Sequence, residues 1–218
     1  MPKLTRLHQS GFVLDTGSER IAFDVPTESP PDLVSKIKPV AAVVASHKHP
    51  DHFCPAHLTA LEAPIYAPGD ALKDIPDLAL PKHPIFEGQT LVIGKTKITT
   101  FPCDHGPGLS APIENLGLLI EVAGRRIYFV GDMAVPSPTP EGPFDLVLVP
   151  VGGSKVFTPE QALEFLQKIK HTGFVIPVHY HGRSDREAGT RFAALAENIV
   201  KPLVLDVEAE LDLNSLGR

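Results

Sequence analysis

Cysteine is scarce: Cys54 and Cys103 are the only two in 218 residues. That is too few for a disulfide framework and fits a reducing compartment. No stretch approaches the roughly 18 uninterrupted apolar residues that a membrane span needs. The opening MPKLTRLHQSG also has no apolar core of a secretory leader. A cytoplasmic address with no membrane partner is therefore expected. Runs of Lys and Arg are missing too, and the net charge of -6 argues against a broad electrostatic grip on nucleic acid. Internal repeats and low-complexity segments are absent, and nothing marks a seam, so a single domain over 1–218 is expected.

What is present is ordinary globular composition, 43% hydrophobic and 21% charged. Short β-branched and apolar runs predict strands at 12–15, 20–24, 40–46, 91–93, 97–101, 116–122, 125–130, 145–150, 174–178 and 203–207. Gly94-Lys95 and Gly124 fall between neighbouring runs and predict antiparallel hairpins. Thr158-Pro159-Glu160-Gln161 reads as a capped helix start, followed by a stripe of Ala162, Phe165, Leu166 and Ile169. Further helices are expected over about 55–61 and 187–200, the latter with Phe192, Leu195, Ala196 and Ile199 on one face. The proline-rich stretches 26–39 and 134–143 read as surface loops. Strands interleaved with helices make an α/β or α+β chain.

The chemistry concentrates in SHKHPDHF at 46–53, directly after the apolar run VAAVVAS, where His47, His49, Asp51 and His52 crowd into six positions. Residues just past a strand sit at the sheet's rim and can converge on a cation without burying an unpaired charge. The other candidates repeat that placement: His105 follows 97–101, Asp132 follows 125–130 and His179 closes FVIPV at 174–178. Any one of these alone fits a surface histidine or aspartate. Together, imidazoles and carboxylates suit borderline divalent ions such as zinc, manganese or iron, and several imidazoles disfavour magnesium and calcium. His181 rivals His179 as the last ligand. His179 is preferred because it follows the strand directly, leaving His181 near the centre or at the substrate. Cys54 and Cys103 flank the motifs but read as small buried packing. Lys155 reads as a solvated loop lysine, with contact to an anionic substrate group as the alternative.

HKHPDH, His105 in CDHG, Gly131-Asp132 and His179 in PVHYHG together give a chain that resembles the metallo-β-lactamase superfamily over nearly its whole length. PVGGSKVFTPEQA at 150–162 is similar to compact prokaryotic members such as those like ascorbate-6-phosphate lactonase. The resemblance implies an α+β, four-layer αββα sandwich of two mixed sheets flanked by helices, with its site at one edge. It also implies that His47, His49 and His105 hold one metal, Asp51, His52 and His179 the second, and that Asp132 bridges them. His8 and Gln9 depart from the pattern, standing where relatives often carry Gly and His.

Such a pair would share a water whose pKa falls toward ~7, giving a hydroxide nucleophile. Asp51 would orient it and pass on its proton. The expected activity is hydrolysis of a small ester, lactone, amide or phosphodiester, with specificity set by loops 26–39, 104–115 and 134–143. The alternatives are an iron-dependent redox enzyme on the same ligands and a non-catalytic metal-binding protein.

Overall fold

The computed structural model describes residues 1–107, 112–180 and 187–217. In chain order its elements are β1 (Lys3–Arg6), β2 (Phe12–Asp15), β3 (Arg20–Phe23), α1 (Pro31–Lys36), β4 (Ala42–Val44), α2 (Pro55–Leu61), β5 (Ile65–Pro68), α3 (Gly69–Lys73), β6 (Lys82–Ile85) and β7 (Thr90–Ile93). They continue with β8 (Thr96–Pro102), β9 (Leu116–Val122), β10 (Arg125–Phe129), β11 (Leu146–Pro150), α4 (Pro159–Lys168), β12 (Phe174–Val178), α5 (Ala188–Ala196), β13 (Lys201–Pro202) and β14 (Glu210–Asp212).

The strands form two seven-stranded mixed sheets, in the orders β14-β1-β2-β3-β4-β5-β6 and β13-β12-β11-β10-β9-β8-β7. Each begins as an antiparallel meander and ends in parallel strands: β3 pairs parallel with β4, and β10 with β11. The expected hairpins are both present, β7 against β8 and β9 against β10.

Side chains alternate faces along a strand, and here that period sorts the core into layers. Phe12, Leu14, Val44, Ile98, Leu118, Ile127, Phe129, Leu148 and Ile176 meet between the sheets. The residues next to them point outward, Val13, Ala22 and Val43 under Leu33, Leu58 and Ala71 of the first three helices. On the other side, Tyr128, Val147, Val149 and Val175 lie under Phe165, Leu166 and Phe192 of α4 and α5. The result is the expected αββα sandwich. The box that starts α4 is also as expected: Thr158 Oγ1 accepts from Gln161 N at 3.3 Å, and Gln161 Oε1 accepts from Thr158 N at 2.9 Å.

Four expectations need correction. The stretch 26–39 is not all loop, because Pro31 occupies the first turn of α1, where its missing N–H costs nothing. The run 203–207 forms no strand. β13 ends at Pro202, and the chain then crosses to the first sheet, where Glu208 N donates to the Arg6 carbonyl and Arg6 N to that of Ala209. Leu203 and Leu205 alternate because they pack against the core between the sheets. In α5, Leu195 is 43% exposed rather than on the buried face, and Ile199 lies beyond the helix end. The short elements β1, β5, β6, α3 and β14 went unforeseen, each being five residues or fewer. The stretch 134–143 is free of helix and of named strands, as expected, although Val135 bridges to Asp104.

Candidate metal centre

The site residues occupy the carboxyl ends of strands from both sheets. After β4, His49 O accepts from both His52 N and Phe53 N, folding residues 49–53 into a tight turn that brings His47, His49, Asp51 and His52 to one place. The second sheet delivers His105 after β8, Asp132 after β10 and His179 after β12. Gly131, at φ +72, makes the turn into Asp132. A Cβ there would lie 2.7 Å from the Leu116 carbonyl oxygen, so only glycine fits.

The donor atoms converge. Asp132 Oδ2 lies 3.8 Å from His47 Nε2, 3.2 Å from His52 Nε2, 3.4 Å from His105 Nε2 and 3.0 Å from His179 Nε2. His49 Nδ1 is 3.0 Å from His47 Nε2 and 3.2 Å from His105 Nε2. Asp51 Oδ2 is 3.3 Å from His179 Nε2 and 4.0 Å from His52 Nε2. Ligand-capable atoms fall into two sets, His47, His49, His105 and Asp132 in one and Asp51, His52 and His179 in the other, each within 4.8 Å internally. All seven residues singled out in the sequence are therefore brought together. His181 lies outside the described residues.

These residues fit a pair of cations. His52 Nε2, His179 Nε2 and Asp132 Oδ1 are buried without a hydrogen-bond partner, a costly state that a cation would relieve. The electrostatics agree. Burial pushes His47 well below the ordinary imidazole value and lowers His49. Burial also opposes charge on His52 and His179, but Asp132 with Asp24, and Asp132 with Asp51, outweigh it. His52 is raised well above its usual value and His179 to about 9. Burial would raise the Asp132 carboxyl, yet His179 and His52 hold it well below its ordinary range. The buried carboxylates around His52 and His179 thus favour positive charge at these two positions, which a cation bound there would supply.

Asp24, which the sequence reading left inside a strand, organises the centre from beneath. Fully buried, it accepts from Ser46 N through Oδ1 and from Ser46 Oγ and His52 Nδ1 through Oδ2, each at 2.7 Å. Ser46 Oγ, its proton committed to Asp24, accepts from His47 Nδ1 at 2.9 Å. Both imidazoles are thereby fixed with Nε2 lone pairs facing inward, as metal-binding histidines require. An acid directly after an apolar strand was the available signal, the same one that marked Asp132.

The remaining candidates are placed as follows. Gln9 reaches the centre through its backbone, its carbonyl accepting from His179 N at 3.2 Å, and its side chain is buried. His8 sits in the turn that Gly11 N closes onto its carbonyl. Cys54 and Cys103 are free and buried. Cys103 Sγ accepts from Asn115 Nδ2, and burial pushes its thiol well up, which keeps it protonated. Lys155 is exposed in the turn before α4.

A cavity of about 560 Å³ lies beside the centre, walled by Phe86, Cys103, Asp104, Asn115, Leu116 and Pro138 among others. Asn115 also donates to the Asp132 carbonyl at 3.0 Å. A larger cavity of about 670 Å³, with Arg126, Lys170 and Lys201 in its walls, opens beside Asp145 and Gly173. Those residues precede β11 and β12, so it lies at the strand ends opposite the metal centre.

Comparison with known proteins points the same way. Residues 11–180 match the Beta-lactamase superfamily domain. The UPF0173 metal-dependent hydrolase of Pelotomaculum thermopropionicum is 30% identical over 197 residues, covering 82% of this chain and 84% of that protein. Among solved structures, Igni18, a metallo hydrolase of the archaeon Ignicoccus hospitalis, superposes with a TM-score of 0.76 at 19% identity, covering 96% of this chain and 97% of that one. CmlA, a diiron β-hydroxylase from Streptomyces venezuelae, superposes with a TM-score of 0.74 at 13% identity, over 96% of this chain and 54% of that one.

Proposed function

This chain belongs to the β-lactamase superfamily and is a metal-dependent hydrolase, and from that premise we propose that it cleaves a small ester, lactone, amide or phosphodiester at a pair of divalent cations. His47, His49 and His105 would hold one cation and Asp51, His52 and His179 the other, with Asp132 between the two sets. The observation that carries this reading is one carboxylate oxygen, Asp132 Oδ2, within 4 Å of four imidazole Nε2 atoms.

When bound there, divalent cations, zinc before manganese or iron, would supply Lewis acidity, lowering the pKa of a water toward ~7 and polarising the scissile carbonyl or phosphoryl oxygen. The chain's own groups do the rest. Asp24 and Ser46 hold His47 and His52 in the tautomer that presents Nε2. Asp51, whose side chain is 28% exposed, stands where solvent meets the centre, so Oδ2 can orient a water, take its proton and hand it outward. The cavity of about 560 Å³ has none of the seven site residues in its walls but includes Asn115, the donor to the Asp132 carbonyl, and its small-molecule size is in keeping with a small substrate rather than a nucleic acid. Two free thiols fit a reducing, cytoplasmic setting, and no described helix is long and apolar enough to cross a membrane.

Elemental analysis, followed by a screen of ester, lactone, amide and phosphodiester substrates with and without chelator, tests the reading. Two equivalents of metal and chelator-sensitive hydrolysis support it. Stoichiometric iron with turnover that depends on oxygen or reductant would favour redox chemistry instead, a reading for which the diiron fold neighbour is the supporting observation.

A further inference from the structure

Arg6 lies at the end of β1, 1% exposed, where loss of hydration makes a cation expensive. Asp206 is the carboxylate whose charge acts on it, but among the described residues none makes a direct ion pair with it, and its Nε and Nη2 have no hydrogen-bond partner. Only Nη1 is engaged, donating to Tyr180 Oη at 2.7 Å and to the Leu205 carbonyl. The guanidinium also stands over the Tyr180 ring, 4.6 Å from its centroid. A buried cation satisfied on one of three nitrogens is a poor contributor to stability, because apolar side chains of similar volume replace such groups at little cost or with gain. What it does accomplish is to fix Tyr180.

Tyr180 is the residue after His179, and His179 needs fixing. Its φ of +58 is a conformation that is strained for a non-glycine residue and persists only where the surroundings impose it. Three contacts among the described residues bear on it. His179 N donates to the Gln9 carbonyl at 3.2 Å. Arg6 grips the Tyr180 hydroxyl and ring. From α5, Gly189 approaches the same ring so closely that a Cβ would lie 2.6 Å from Cζ. Gln9 and Arg6 belong to the first sheet's opening segment and Tyr180 to the end of β12 in the second, so the grip spans the two sheets.

We propose that Arg6 is a positioning residue for the cation held by Asp51, His52 and His179: it fixes Tyr180, and Tyr180 fixes the strained turn that aims His179 inward. This rests on the cation pair proposed above. It differs from a role in holding the fold together, because it confines the effect to one cation.

The test is a titration of chelator-stripped protein with cobalt(II), followed by its visible absorption and by elemental analysis after gel filtration, in wild type, Arg6→Met, Gly189→Ala and His179→Ala. Gly189→Ala is independent of any burden from the lost charge, and alanine raises helix propensity in α5, so a loss there reports the push on Tyr180. The expected result is two binding steps in wild type. One step, the same one that His179→Ala removes, weakens about 10–100-fold in both Arg6→Met and Gly189→Ala while the other changes less than about twofold. The melting temperature of stripped Arg6→Met stays within about 4 °C of wild type, or rises. Two unchanged steps in both variants would overturn the inference and leave the proposed function standing. So would equal weakening of both steps with a matching fall in melting temperature, which is what general loosening of the fold produces. A wild-type protein that binds fewer than two cations would defeat the proposed function, and this inference with it.

Discussion

Asp24→Asn is the most incisive change available, since it alters one atom of a side chain that touches no substrate. Asparagine tolerates the residue's φ of +44, and the volume is unchanged. The consequence follows from donor counting. Ser46 N is a backbone donor that cannot turn away, so the amide oxygen must stay at the Oδ1 position, 2.7 Å from it. The NH2 group then faces Ser46 Oγ and His52 Nδ1, both now supplied with a donor where they had an acceptor. His52 must turn its Nδ1 lone pair to the amide, which moves its proton to Nε2, the atom 3.2 Å from Asp132 Oδ2. Ser46 Oγ–H swings to His47 Nδ1, and that ring's proton moves to Nε2 as well. Both cation half-sites lose a lone pair. Changes of this kind cost about 10–100-fold in metal affinity, or about 1.4–2.7 kcal/mol per cation. Competition between stripped protein and a chromophoric chelator for zinc measures it directly: both binding steps weaken, unlike the single step expected of Arg6→Met. Wild-type affinity at both steps in Asp24→Asn would refute the tautomer argument, since no arrangement of the amide leaves His52 and His47 as they are.

Asp132→Ala or His49→Ala should lose metal, read by elemental analysis, together with turnover, and full metal with full activity in either would contradict the ligand assignment. Gly131→Ala places a Cβ 2.7 Å from the Leu116 carbonyl oxygen at φ +72, and should cost about 2–4 kcal/mol by urea denaturation. His171 is held below its ordinary pKa by burial, with Nε2 donating to the Phe174 carbonyl. A depressed pKa means that the unfolded chain takes the proton first, so this group's contribution is present above about pH 6.5 and is lost as pH falls through the lowered folded value. His171→Gln should accordingly show a shallower loss of melting temperature between pH 7 and pH 5 than wild type, and identical slopes would refute it. Chelation should lower the melting temperature, since ligand at about 100 times its Kd contributes about 2.7 kcal/mol per site.

The seven clustered residues were legible because a candidate metal site leaves a local trace: HKHPDH fits within a single turn, and His105, Asp132 and His179 each follow a run of strand formers. The strands were legible for the same reason, because the apolar and β-branched runs at 116–122, 125–130 and 145–150 are written in adjacent residues, whereas their layering into two sheets was implied only by the family resemblance. What escaped depends on the rest of the chain. Leu203 and Leu205 alternate like a strand, yet after Pro202 the chain leaves its sheet to pair near Arg6. Pro31 reads as a helix breaker until its place at the first turn of α1 is known. Asp24 looks like the polar end of a strand, and its hold on Ser46 and His52 requires residues 22 and 28 positions away to arrive beside it.

That distance dependence extends to the centre as a whole. Each set of donors draws on both sheets: His47 and His49 follow β4, whereas His105 and Asp132 follow β8 and β10. Asp51 and His52 come from the first sheet's turn and His179 from the second sheet's β12. A cation at either place therefore joins the two halves of the sandwich across one edge, where Asp132 and Asp24 would otherwise leave buried carboxylates facing protonated imidazoles. Between the sheets, Phe12 stacks on Phe23 at 4.6 Å and meets Phe129 edge-on at 5.4 Å, so the apolar core alone already sets the halves in register. The hydrophobic layers decide that the sheets meet, and the metal centre depends on that meeting being accurate to a fraction of an ångström. This is why groups such as Arg6, Gln9 and Gly189, which add little to the core, stand at the seam beside the ligands.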